Sequence, residues 1–225
     1  MNTTIFDIET GGLPEAELLR IIEPFDPGAV KVGNITDLDK VAAKIEREQE
    51  KYYADACNNA AKSALTGRVL AIGVKPLDGE AIIIGDANEA DLLSKFWKRF
   101  VSTSGRWVGF NIMLFDLPFL CQRSWVHNLS VPSIREGRNW SSVPSIREGR
   151  HWSDAFLDLR ETWQLGNRQL AGSLDSIAKA FGLSGKTVSG AEFAKLWGNP
   201  NMRGQAEDYL RKDLELTEAL YLRMQ

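Results

Sequence analysis

Asp7 and Glu9 stand where a core side chain is expected. They interrupt TTIFDIET (residues 3–10), whose Thr3, Thr4, Ile5, Phe6 and Ile8 otherwise spell a buried β-strand. Residues two apart on a strand point to one face, roughly 6.8 Å apart along it. A buried carboxylate stays protonated or destabilises the fold unless its charge is compensated. Two of them aimed at one spot therefore require a cationic side chain or a metal ion. Asp116 closes GFNIMLFD (109–116) at the start of a helix-like stretch over 115–125, with Pro118 tolerated in the first turn. Tyr209 and Asp213 lie four apart in EDYLRKDLELTEAL (207–220), on one face of a strongly periodic helix and about 6 Å from each other. Taken singly, each has an ordinary reading: salt-bridged acids, a helix N-cap at Asp116, a solvated acid beside a core tyrosine.

The elements that must position these residues are legible in outline. The first strand is expected over 3–9 and to end in a turn at Gly11-Gly12. Residues 13–36 lack a steady period, and 37–63 read as a mostly polar helix. Arg68–Lys75 and Glu80–Gly85 predict a β-hairpin across a Pro76, Asp78, Gly79 turn. An amphipathic helix is expected over 91–101 and short strands over 107–110 and 156–159. Helices follow near 173–181, 191–197 and 205–224. Strands mixed with helices, then a helical C-terminal part, indicate one α/β domain over 1–225 around a mixed sheet.

Together the three stretches resemble the DEDD superfamily of 3′→5′ exonucleases, which have a ribonuclease-H-like fold. FDIET carries the D-x-E motif, Asn111 to Asp116 the N-x(3)-F-D type stretch of family B DNA polymerase proofreading domains, and Tyr209 to Asp213 the Y-x(3)-D motif. The histidine branch would place His five residues before Asp213, where this chain has Asp208. The likeness is therefore to the tyrosine branch of this DnaQ-like superfamily. It implies a five-stranded mixed sheet flanked by helices, with 13–66 as an insertion bearing the polar helix.

The implied chemistry accounts for the acids. Hydrolysing a phosphodiester requires placing the attacking hydroxide and stabilising charge on the phosphate and the leaving 3′ oxygen. Two divalent ions roughly 3.5–4 Å apart do all three. Such ions, two Mg²⁺ or Mn²⁺, take hard oxygen ligands, here Asp7, Glu9, Asp116 and Asp213. An unperturbed phenol has a pKa of about 10, so Tyr209 is expected to orient the attacking water rather than to act as a strong base. By the same resemblance Thr10, Gly11, Leu13, Asn111 and Phe115 are expected to meet the 3′-terminal nucleotide, with a plain turn or core packing as the alternatives. Asp158 either stands behind the metal ligands or caps the helix that follows it. The expected substrate is the 3′ end of single-stranded DNA and the products nucleoside 5′-monophosphates. An exoribonuclease and a non-catalytic nucleic-acid-binding module of the same fold are the other readings.

Bulk properties set limits. The chain has 225 residues, 44% hydrophobic and 25% charged, with a net charge of −3, so no global basic field advertises nucleic acid. Metal ions supply positive charge locally. No apolar run approaches the ~18 residues of a membrane helix, and no signal-peptide pattern precedes the first strand. Two cysteines, Cys57 and Cys121, suit a reducing cytoplasm. No polymerase segment is expected after the third motif, which predicts a free-standing nuclease or a subunit lent to a replication or repair protein. Residues 130–141 and 142–153 form a tandem repeat of twelve residues, differing only at Asn139 and His151. The expectation there is a lengthened surface loop; the alternative is an Arg- and Trp-bearing contact to single strands. His127 and His151 have no ligand-like spacing.

Overall fold

Ile5 and Phe6 are successive residues of one strand, face opposite ways, and are both fully buried. Such a strand must be covered on both faces, and β1 (Thr3–Gly12) is indeed the middle strand of a five-stranded sheet. The others are β2 (Gly67–Pro76), β3 (Ile82–Gly85), β4 (Arg106–Gly109) and β5 (Phe156–Asp158). Their order is β3-β2-β1-β4-β5. β2 and β3 form the expected antiparallel hairpin, with Ile72 opposite Ile84. β4 runs parallel to β1, with Ile5 opposite Val108, and β5 runs parallel to β4, with Gly109 opposite Asp158. The sheet is the mixed one expected for a ribonuclease-H-like fold.

The computed structural model describes residues 2–131, 156–170, 172–184 and 190–225. Nearly all of the tandem repeat, His151 included, lies outside them. Two units emerge, residues 1–9 with 69–225, and residues 10–68. The 10–68 unit holds α1 (Glu15–Leu18) and α2 (Leu38–Asn59), the polar helix, which Asp37 caps by accepting from the N–H groups of Asp39 and Lys40. No residue of α2 is fully buried. Polar contacts hold the preceding segment to it: Tyr52 Oη donates to the Glu23 carbonyl at 2.8 Å and Lys44 Nζ to that of Lys31 at 2.7 Å.

In the larger unit, α3 (Glu89–Ser102) starts at Asn88, whose side chain accepts from Ala90 and Asp91 N–H groups. Leu92, Leu93, Phe96, Trp97 and Phe100 line its buried side. Phe96 and Phe100 join Phe6 and Trp107 in an aromatic cluster, with Phe100 stacked on Phe156. Trp97 and Trp107 are thus core residues. α4 (Asp116–Val126) and α5 (Leu159–Gln164) follow β4 and β5, and α6 (Leu174–Ala180) and α7 (Gly190–Gly198) precede α8 (Arg203–Arg223). α8 buries Ala206, Tyr209, Leu210, Asp213, Leu214, Thr217, Leu220 and Tyr221, a stripe at three- and four-residue spacing. Ile5 packs with Val108, Leu214, Leu220 and Tyr221, so the face of β1 that carries Ile5 is the face toward α8. Gly73 of β2 lets this helix come close: a Cβ there would lie 2.7 Å from Leu214 Cδ1 and 3.0 Å from Leu210 Cγ. The Lys75–Glu218 ion pair, at 2.6 Å and largely buried, ties α8 to β2 as well.

Two elements differ from expectation. β1 does not turn at Gly11-Gly12 but continues as strand through Gly12. The six-residue α5 follows β5 directly, because Asp158 ends the strand and caps the helix at once. Among the described residues no helix is long and apolar enough to cross a membrane.

Candidate active site

Asp7 and Glu9 lie on the Ile5 side of β1, since side chains alternate along a strand. Asp213 occupies a position in the buried stripe of α8 that its neighbours fill with Leu210 and Leu214. The two elements bring the three acids together: one carboxylate oxygen from each of Asp7, Glu9 and Asp213 lies within 4.8 Å of the others. Glu9 is 8% exposed and Asp213 2%, while Asp7 is half-buried. Like charges at that range repel strongly in a partly dry setting. Hard oxygens converging on one point are the donor set of a hard divalent cation, and the three residues fit such an ion.

Asp116 enters from α4. It is not that helix's cap; Phe115 holds the N-cap position, and Asp116 is the first helical residue. Its Oδ1 accepts instead from the Ile8 N–H of β1 at 3.0 Å. The last residue of β1 paired with β4 is Ile5, so a side chain supplies an acceptor beyond the end of that ladder. Asp116 is 3% exposed. Burial, then the charge of Asp7, push its carboxyl well above the usual carboxylate range, against the Ile8 hydrogen bond. It stands beside the three-acid group electrostatically without belonging to it by distance.

Tyr209 lies one turn before Asp213 on α8, 6% exposed, its ring 5.8 Å from that of Phe193. Asn111 has φ +66°, a left-handed conformation that asparagine tolerates better than most residues. Its N–H donates to Asp158 and its Oδ1 accepts from Arg160 Nη1 at 2.9 Å. Phe115 is half-buried and packs on Phe119. Thr10, Gly11 and Leu13 belong to the 10–68 unit, where Thr10 Oγ1 donates to the Ala61 carbonyl and the Leu13 N–H to that of Thr66. Asp158 is 1% exposed and accepts four backbone N–H bonds, from Asn111, Met113, Arg160 and Glu161. Burial raises its pKa in spite of them.

One acid with an enclosed side chain escaped the sequence. Glu89 opens α3 and takes Arg123 Nη2 at 2.6 Å, His127 Nε2 at 2.8 Å and the Val69 N–H at 2.7 Å. Burial alone would raise its pKa, but the bonds from Arg123, His127 and Val69 and the Arg123 charge hold it below the usual value. No motif marks it, since Arg123 and His127 are 34 and 38 residues away in sequence.

A ribonuclease-H-like sheet with three carboxylates gathered over its central strand defines a class of nucleic-acid-cleaving domain. The comparisons narrow it. Residues 64–225 match the family model described as a predicted 3′-5′ exonuclease related to the exonuclease domain of PolB, and the chain belongs to that family. The matched stretch contains Asp116, Tyr209 and Asp213 and begins after Asp7 and Glu9. Among solved structures, the chain is similar to the family B DNA polymerase of the hyperthermophilic archaeon Pyrobaculum calidifontis, with a TM-score of 0.62 and 18% identity. That likeness is one of fold. It covers 100% of this chain, which spans 24% of the polymerase chain. No curated protein matches.

Proposed function

We propose that this protein is a metal-dependent 3′→5′ exonuclease of the tyrosine-bearing DEDD branch. It would hydrolyse the terminal phosphodiester of single-stranded DNA and release nucleoside 5′-monophosphates. The observation that carries this reading is the convergence of Asp7, Glu9 and Asp213 within 4.8 Å. With Asp116 they would hold two Mg²⁺ or Mn²⁺ ions, which supply an acidified water and stabilise the charge on the phosphate and the leaving 3′ oxygen. Tyr209, one helical turn from Asp213, would hold the attacking water in line by a hydrogen bond. Asn111 and Phe115, with Thr10, Gly11 and Leu13, are the residues proposed to meet the 3′ nucleotide. A reducing cytoplasm and a replication or repair partner accord with this activity.

Digestion of a 5′-labelled single-stranded DNA beside an RNA of the same sequence tests the reading, with Mn²⁺, Mg²⁺ or EDTA and Asp7→Ala as control. A ladder shortening from the 3′ end of DNA, abolished by EDTA and by the substitution, is expected. Tyr209→Phe should lose less activity than Asp7→Ala. Preference for the RNA lane would make the protein an exoribonuclease, and no cleavage of either polymer would leave a binding module.

A further inference from the structure

Asp158 does more than begin a helix. As the last residue of β5 it lies opposite Gly109, the last residue of β4. The chain leaving β4 folds back over this strand end, and the Asp158 carboxylate catches it twice. Oδ1 accepts from the Asn111 N–H at 2.8 Å and Oδ2 from the Met113 N–H at 3.0 Å. The same Oδ1 accepts from the Arg160 N–H at 2.9 Å, which is the capping contact of α5. Arg160, two residues on, grips the Asn111 side chain. One buried carboxylate thereby joins the first turn of α5 to a left-handed residue and its neighbours, a concave run of N–H groups of the kind that holds anions.

Further backbone bonds tie that run to the start of α4. The Asn111 carbonyl accepts from Leu114 and Phe115, and the Ile112 carbonyl from Leu117, while the Ile112 side chain is fully buried. Asp116 follows Met113 by three residues and must meet the Ile8 N–H of β1 at 3.0 Å. A ligating group has to be held to about 0.5 Å to work. We propose that Asp158 is a positioning residue whose carboxylate clamps the 111–113 loop and so sets where Asp116 presents its oxygens to a divalent ion. This rests on the metal-dependent nuclease reading above.

Serine caps a helix about as well as aspartate but is too short to reach the loop, so Asp158→Ser separates the two duties. The comparison is wild type, Asp158→Ser and Asp158→Asn, read by calorimetric Mn²⁺ binding, by kcat and KM on the 5′-labelled DNA, and by Tm. Asp158→Ser is expected to melt close to wild type, to bind Mn²⁺ roughly tenfold more weakly, and to lose kcat by a similar factor at unchanged KM. Added Mn²⁺ should restore part of the rate. Asp158→Asn keeps the volume and one acceptor; it is expected to fall between the two and serves as the test variant if serine lowers Tm. Wild-type Mn²⁺ affinity and kcat in either folded variant would overturn the proposal and leave Asp158 a helix cap. A wild-type protein that neither binds Mn²⁺ nor cleaves would overturn the nuclease reading itself, and the proposal with it.

Discussion

Helices α3 and α4 each begin with an acid whose side chain is enclosed, Glu89 in one and Asp116 in the other. Both carboxylates sit at the positive end of a helix, where the backbone dipole favours negative charge. Yet the Glu89 carboxyl titrates below its usual range and the Asp116 carboxyl far above it. The dipole is common to both and burial pushes both upward, so neither turns one down and the other up. Company does. Glu89 meets the guanidinium of Arg123 and the ring of His127, whereas Asp116 feels the charges of Asp7 and Asp158. An acid answered by a guanidinium is a fastener, and acids gathered against one another store repulsion that a cation can relieve. α4 carries one end of each arrangement, since Arg123 lies on it seven residues beyond Asp116.

Neutralising Asp116 should break the comparison most visibly. Asp116→Asn keeps an oxygen for the Ile8 N–H while removing the charge. Cleavage is expected to fall on the order of a thousandfold, about 4 kcal/mol of barrier. In EDTA the same variant should melt higher than wild type, by about 2–4 °C for each kcal/mol of repulsion relieved. A variant that loses activity and also melts lower would mean that Asp116 is a structural acid like Glu89.

Next in size is the fastener. Arg123→Met leaves the Glu89 charge buried without its guanidinium, which should cost about 3–5 kcal/mol and lower Tm by roughly 10 °C. Mn²⁺ affinity measured well below the new Tm should change little, unless the far end of α4 sets the site at its near end. The smallest effect is an acid titration. Because the folded-state pKa of Glu89 lies below the ordinary value of 4.5, its contribution is present above that pH and is lost as pH falls through the lower folded value. The Tm of Glu89→Gln should therefore decline less steeply than that of wild type below about pH 4.5. Asp116 has the opposite sign: its contribution is present below 3.8 and fades as pH rises through its raised value.

What could be read from the sequence follows from the range of the forces involved. The strand with two acids, the hairpin, α3 and α8 each carry a period of 2 or 3.6 that burial imposes over neighbouring residues, and they appear where expected. Asp7 and Glu9 could be picked out because they violate the strand pattern around them, whereas Asp116 and Asp213 fit theirs and stood out only through the resemblance that the three stretches carry together. That Glu9 and Asp7 meet Asp213 is a tertiary fact. Contacts spanning the chain left no such trace: Asp116 to Ile8 across 108 residues, Asp158 to Asn111 across 47, Glu89 to Arg123 across 34. The ordinary reading of Asp116 as an N-cap does not hold: Phe115 takes that position and Asp116 bonds to β1 instead. Gly11 and Gly12 read as a turn because glycine weakens strands, but β1 runs on through both. The six-residue α5 is too short for its period to show.

Gly73 makes the three-acid cluster depend on how closely α8 is seated. Asp7 and Glu9 come as a pair on one strand, but Asp213 reaches them only when Leu210 and Leu214 settle over the bare backbone of Gly73. Without that docking the cluster falls into two acids on β1 and a third on a separate helix. The gathering of three carboxylates is therefore a property of how α8 packs on the sheet, and of neither element alone.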